Sequence, residues 1–113
     1  AVALREAMAT YPELVAGDGR ACTELMQAMD GRVTLKTGAE AFFIGIVPEK
    51  KVGIALKITD GSTRGAECAI AAILVRLGVL DANHPATIKR RNPPLKNFAG
   101  ITTGSIRPAA ALA

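Results

Sequence analysis

Residues 33–58 read Val33-Thr34-Leu35-Lys36-Thr37-Gly38-Ala39-Glu40-Ala41-Phe42-Phe43-Ile44-Gly45-Ile46-Val47-Pro48-Glu49-Lys50-Lys51-Val52-Gly53-Ile54-Ala55-Leu56-Lys57-Ile58. Val33 and Leu35 alternate with Thr34 and Lys36, the two-residue period of a half-buried strand. Phe42, Phe43, Ile44, Ile46 and Val47 form a nearly continuous apolar run, which suits a strand covered on both faces. Pro48 to Lys51 is a turn. Val52 to Ile58 returns as a third strand, with Ile54, Leu56 and Ile58 on one face. Short connections between three such runs predict an antiparallel meander.

Helical patterns lie on both sides of this block. Residues 2–10 carry Val2, Leu4, Ala7, Met8 and Ala9 with Arg5 and Glu6 facing out, a short helix. Pro12 interrupts it, and Glu13 to Ala16 add a turn before Gly17 and Gly19. A helix follows over about 21–29, where Leu25, Met29 and either Cys22 or Met26 share one face. Gly31 is placed as its C-cap. After the strands, Asp60-Gly61-Ser62-Thr63 is a turn leading into a helix over 63–77, with Asp60 read as its cap. Its buried stripe is Ala66, Ile70, Ile73, Leu74 and Leu77, and its alanines permit close packing. Residues 81–99 read as a loop rich in Pro, Asn and Arg, and Ile101 to Ile106 as a last strand without a hairpin partner. The fold class is therefore α/β of the α+β kind: an antiparallel sheet flanked by helices. Residues 1–113 form a single segment, with Ala109 to Ala113 set aside as resembling an appended tail.

Composition narrows the function classes. The chain has 113 residues, enough for one domain, and is 50% hydrophobic but only 4% aromatic. That apolar content argues against disorder, and no apolar run reaches the roughly 18 residues of a membrane helix. The formal charge of +4 is spread thinly, apart from Lys89-Arg90-Arg91 and Lys50-Lys51. Without stacking aromatics these read as solvated cations, so neither nucleic acid nor membrane is expected as a partner. Cys22 and Cys68 lack zinc or disulfide spacing and read as free thiols in a reducing compartment. No leader pattern precedes them, and the expected location is cytoplasmic.

The chemistry-bearing motif is Lys36-Thr37-Gly38, ending the first strand. Lys-Thr-Gly is one of three motifs of class A β-lactamases and penicillin-binding proteins, beside Ser-x-x-Lys and Ser-Asp-Asn. There the lysine projects from an edge strand into the cleft, and the glycine lets an extended substrate lie against the strand. Taken alone, the tripeptide better suits a surface lysine before a turn; the surrounding order brings the two readings level. The order of strand, Lys-Thr-Gly, two antiparallel strands and a helix is that of the C-terminal portion of the serine-β-lactamase-like fold.

A longer pattern is more specific. Glu13 to Met26, Val33 to Glu40 and Gly53 to Gly61 resemble the L-asparaginase II family of serine-β-lactamase-like type. Arg64 to Cys68, Leu77 to Leu80 and Gly100 to Pro108 continue the resemblance. It spans nearly the whole chain and corresponds to the family's C-terminal third. Two departures stand out: Ala41 replaces the glycine that usually follows Lys-Thr-Gly-Ala-Glu, and no Ser-x-x-Lys occurs.

The resemblance implies hydrolysis of L-asparagine to aspartate and ammonia through an acyl-enzyme on an activated serine. That serine, its lysine and any zinc ligands would lie upstream, so no cofactor is expected within this chain. Lys36 would be the catalytic residue here, either activating a second serine or orienting the substrate carboxylate by charge. Thr37 and Gly38 would line the cleft, Glu40 would meet the substrate ammonium or hold Lys36, and Cys22 would lie near the site. Each has a plainer reading: Glu40 as a surface acid, Cys22 as a buried helix thiol. Cys68 reads as core, His84 as a loop residue, and Asp18 and Arg20 as a local ion pair or cap. The missing N-terminal part and a second copy of the chain are the expected protein partners. The competing reading is a non-catalytic α/β binding or oligomerisation module using the sheet and the basic arm.

Overall fold

The computed structural model describes residues 1–113. Helix α1 spans Val2–Thr10, and Pro12 opens α2, Pro12–Ala16. A proline is tolerated there because its missing N–H is one a first helical turn leaves unpaired anyway. Helix α3 is Ala21–Ala28. Thr23 fastens it to α2: its Oγ1 donates to the Gly17 carbonyl oxygen at 2.5 Å. Strands β1 (Thr34–Gly38), β2 (Phe42–Val47) and β3 (Val52–Lys57) form the expected antiparallel meander in the order β1-β2-β3. A single 3₁₀ turn, Pro48–Lys50, joins β2 to β3. Helix α4 runs Thr63–Arg76. The molecule is thus α+β, an antiparallel sheet flanked by helices.

The register places Lys36 opposite Ile44, Thr37 opposite Phe43 and Leu35 opposite Gly45. Because successive side chains alternate across a strand, Leu35, Thr37, Phe43 and Val47 point inward. Thr34, Lys36, Phe42, Ile44 and Ile46 point outward. Leu35, Phe43 and Val47 pack with Leu25 and Met26 of α3, with Met29 just beyond it, and with Ile70, Ala71 and Leu74 of α4. At Gly45 a Cβ would stand 3.0 Å from Leu35 Cδ2, so a larger residue would have to displace that side chain. On the outer face, α1 covers β1, and Thr34 Oγ1 donates to the Arg5 carbonyl oxygen at 3.0 Å.

Four expectations change. Strand β2 is covered on one face only: Phe43 and Val47 are buried, whereas Phe42, Ile44 and Ile46 stay 39%, 40% and 43% exposed. Its continuous apolar run misled because both faces are apolar while only one has a partner layer. Residues 81–99 are not a loop throughout. They contain helix α5, Pro85–Arg91, and strand β4, Pro94–Lys96. His84 caps α5, its Nδ1 accepting from the Ala86 N–H at 3.1 Å. Strand β4 supplies the partner that the last strand lacked: β5, Thr102–Ser105, pairs with it in a separate two-stranded sheet. Asn97 closes that hairpin, its Oδ1 accepting from the N–H groups of Ala99 and Ile101. Finally, Ser62 rather than Asp60 caps α4, its Oγ accepting from Gly65 N–H. Asp60 instead braces the preceding turn through the Ser62 N–H at 2.8 Å.

Candidate active site

Strand β1 lies at the edge of its sheet, so Lys36-Thr37-Gly38 ends a strand with one free side. An uncovered edge leaves backbone groups seeking partners. Here side chains supply them. The Leu35 N–H meets Met26 Sδ at 3.3 Å. The Lys36 ammonium donates to the Thr37 carbonyl oxygen at 2.5 Å. Two groups on that edge, the Leu35 N–H and the Thr37 carbonyl, thus have side-chain partners.

Lys36 is exposed and shares its outward face with an apolar groove of about 200 Å³ lined by Leu4, Met8, Ile44 and Ile46. Thr37 points the other way. With Arg20, Cys22, Phe43, Thr63 and Glu67 it lines a narrow seam where β1 meets α3 and α4. Cys22, 1% exposed, is held by α3 against this strand end. Burial pushes its thiol above the ordinary value, partly countered by the Thr37 backbone and by the charges of Lys36 and Arg20. That makes it a poor nucleophile near neutrality. Cys68 is also raised by burial, and its Sγ lies 3.3 Å from the Arg91 carbonyl oxygen.

Gly38 has a local reason besides substrate access: a Cβ there would meet Phe42 Cδ1 at 3.0 Å. Glu40 sits in the Ala39–Ala41 connection between β1 and β2 with φ 57°, and Ala41 follows at φ 58°. Glu40 is anchored to Lys57, not to Lys36. The Lys57 ammonium donates to the Glu40 carbonyl oxygen and stands 3.8 Å from its carboxylate. Glu40 and Lys57, with Thr59 and Asp60, line a polar open cleft. Ala41 does not crowd the strand approach; it turns into the core, 3% exposed.

The structure thus joins Cys22 to Thr37, sets Lys36 on the opposite face, and places Glu40 at the turn beyond. Thr63, Glu67 and Arg90 were missed. The first two belong to the start of α4, which only the tertiary packing brings to β1. Arg90 was read as a solvated cation, yet it bonds Glu67 and Glu24. Arg20 stands at the N-cap position of α3, its side chain making no capping bond, and it borders the seam rather than pairing with Asp18. No group of three His, Cys, Asp or Glu converges. No helix is long and apolar enough to cross a membrane.

The edge strand bearing Lys-Thr-Gly and the helices behind it define an α+β protein. The chain belongs to the L-asparaginase II family, whose model matches residues 1–108. No curated protein matches it. Membership supports an asparaginase-type hydrolase function, with asparagine as the substrate that the family implies.

Proposed function

We propose that the chain supplies the C-terminal wall of an L-asparaginase II-type amidohydrolase of serine-β-lactamase-like fold, cytoplasmic in location. The observation that carries this reading is Lys36-Thr37-Gly38 on the edge of an antiparallel sheet, inside a family match spanning residues 1–108. In this mechanism a serine upstream of Ala1 attacks the side-chain amide carbon of asparagine. The serine's hydroxyl proton passes to its partner lysine, the carbonyl π electrons move to oxygen, and the collapsing adduct expels ammonia as that lysine returns the proton to the leaving nitrogen. Water then cleaves the acyl-enzyme, releasing aspartate and restoring the serine.

Lys36 serves this chemistry in one of two ways: it accepts and returns a proton for a second serine, or its ammonium orients the substrate carboxylate. Either role requires it to leave the Thr37 carbonyl, which its exposed position permits. Thr37 and Gly38 line the cleft, Cys22 backs it, and Glu40 presents a carboxylate to the substrate ammonium. The outer sheet face, where Phe42, Ile44 and Ile46 remain about 40% exposed, supports covering by the rest of the same protein. The assembled enzyme is proposed to be a homo-oligomer.

The test is ammonia release from asparagine. The polypeptide encoded together with its upstream sequence should release ammonia and lose that activity when the serine of an upstream Ser-x-x-Lys is changed to alanine. The 113-residue chain alone should release none. Absence of Ser-x-x-Lys upstream would favour the non-catalytic module.

A further inference from the structure

We infer that Arg90 is a positioning residue: a latch that holds α3 and α4 together and so sets the width of the seam between Cys22 and Thr37. Three walls converge on its guanidinium. One terminal nitrogen donates to Glu67 Oε2 of α4 at 2.9 Å. The other donates to Glu24 Oε2 of α3 at 3.1 Å and to the Gly19 carbonyl oxygen at 2.8 Å. Lys89 adds a bond to the second Glu24 oxygen at 2.9 Å. Gly19 precedes Arg20, Glu24 lies two residues after Cys22, and Glu67 itself borders the seam. Every segment Arg90 grips therefore also lines or carries the seam.

The latch is built rather than incidental. The Arg90 side chain is only 13% exposed and the two carboxylates are 24% and 20% exposed. The two separated terminal nitrogens of the guanidinium reach three acceptors spread over two helices and a loop, a span that the single nitrogen of a lysine does not have. Without it, Glu24 would keep only Lys89 and Glu67 would keep no partner, and repulsion between the two largely buried carboxylates would drive α3 from α4. The seam, with room for little more than one water, would open beside Thr37.

Its catalytic importance rests on the proposed function, because the seam matters to turnover only if this wall lines an amidase cleft. Thiol labelling reads the latch without turnover, so a failure of either idea is recognisable. In a Cys68→Ala background, reaction of Cys22 with a small uncharged maleimide is followed under native conditions, with circular dichroism to establish folding. Arg90→Met, which keeps the aliphatic stem, should raise the Cys22 rate about tenfold or more. Adding Glu24→Gln and Glu67→Gln to Arg90→Met should return it to within about threefold of the parent, since neutral amides do not repel. If Arg90→Met does not fold, Arg90→Lys should still give a rise, smaller because one ammonium cannot span the three acceptors. Parent-like labelling in Arg90→Met, or in Arg90→Lys where Arg90→Met fails to fold, overturns the latch. So does an acceleration that persists undiminished in the triple variant.

Discussion

The Lys36 ammonium reaches back along its own strand to the Thr37 carbonyl oxygen, 2.5 Å away. The Thr37 side chain points into the molecule on the opposite face, beside Cys22. Adjacent residues of one motif thus divide the work. Lys36 closes an edge carbonyl from outside, while Thr37 contributes to a buried seam. Under the proposed function, a substrate would have to draw the lysine from a strand carbonyl, not from a carboxylate partner.

Replacing Lys36 should therefore cost activity and little stability. Its side chain is exposed, and its one hydrogen bond is to a neighbouring carbonyl. In the complete enzyme, Lys36→Ala is expected to lower turnover by about a thousandfold. Its urea midpoint should stay close to the parent's. Near-parent ammonia release would remove Lys36 from the mechanism.

The β1–β2 connection stores backbone strain at two consecutive positions, Glu40 and Ala41, both left-handed. Glu40 is exposed, so Glu40→Gly relieves that strain and loses only an exposed 3.8 Å pair with Lys57. A gain of about 0.5–1 kcal/mol is expected in urea unfolding. Ala41→Gly should come out near zero, because the relief is offset by a buried methyl worth about 0.8 kcal/mol and by added chain entropy. If Glu40 also meets the substrate ammonium, the stabilised Glu40→Gly enzyme should show a raised KM for asparagine.

Acid should weaken the α3–α5 contact. The Lys89 hydrogen bond holds the Glu24 carboxyl below its ordinary value of 4.5, with Arg90 adding to the effect against burial. A depressed native value means the unfolded chain takes up the proton first. This stabilisation is thus present above about pH 4.5 and fades as pH falls through the lower native value. Partial exposure limits it to about 1 kcal/mol. Urea midpoints measured from pH 6 to pH 3 should fall less steeply in Glu24→Gln than in the parent.

Phe42 and Phe43 provide a contrast within two residues. Phe43 is 1% exposed among core side chains, whereas Phe42 is 39% exposed on the outer face. Phe43→Ala should cost about 3–5 kcal/mol, and Phe42→Ala about 1 kcal/mol or less. Equal losses in thermal unfolding would mean that the outer face is covered in solution.

The local signals written in the sequence were strong where one physical rule acted alone. Pro12 and Gly17 punctuated the first helices, and the two-residue period of Val33 and Leu35 marked β1. The turns at Pro48 and Gly61 delimited β3 and α4. The Lys-Thr-Gly tripeptide was legible because it is contiguous. Helix α5 was not, because its seven residues, Pro85–Arg91, carry no apolar period and follow a run of turn formers. It is held by long-range contacts: buried Ala86 and Thr87, and ion pairs from Arg90 to Glu24 and Glu67, 66 and 23 positions away.

By itself, then, the sequence determined the order of the first helices, the three-stranded meander and α4, the position of Lys36-Thr37-Gly38 at a strand end, and the family resemblance. These depend on interactions between near neighbours and on contiguous residue identity. Tertiary structure alone decided that β2 buries one face, that Lys36 and Cys22 flank opposite sides of β1, and that Glu40 belongs to Lys57. It also turned a seemingly solvated Arg90 into the clasp of two helices. Each of those outcomes depends on which surfaces meet, and burial and long-range pairing energies exist only once the chain has closed on itself.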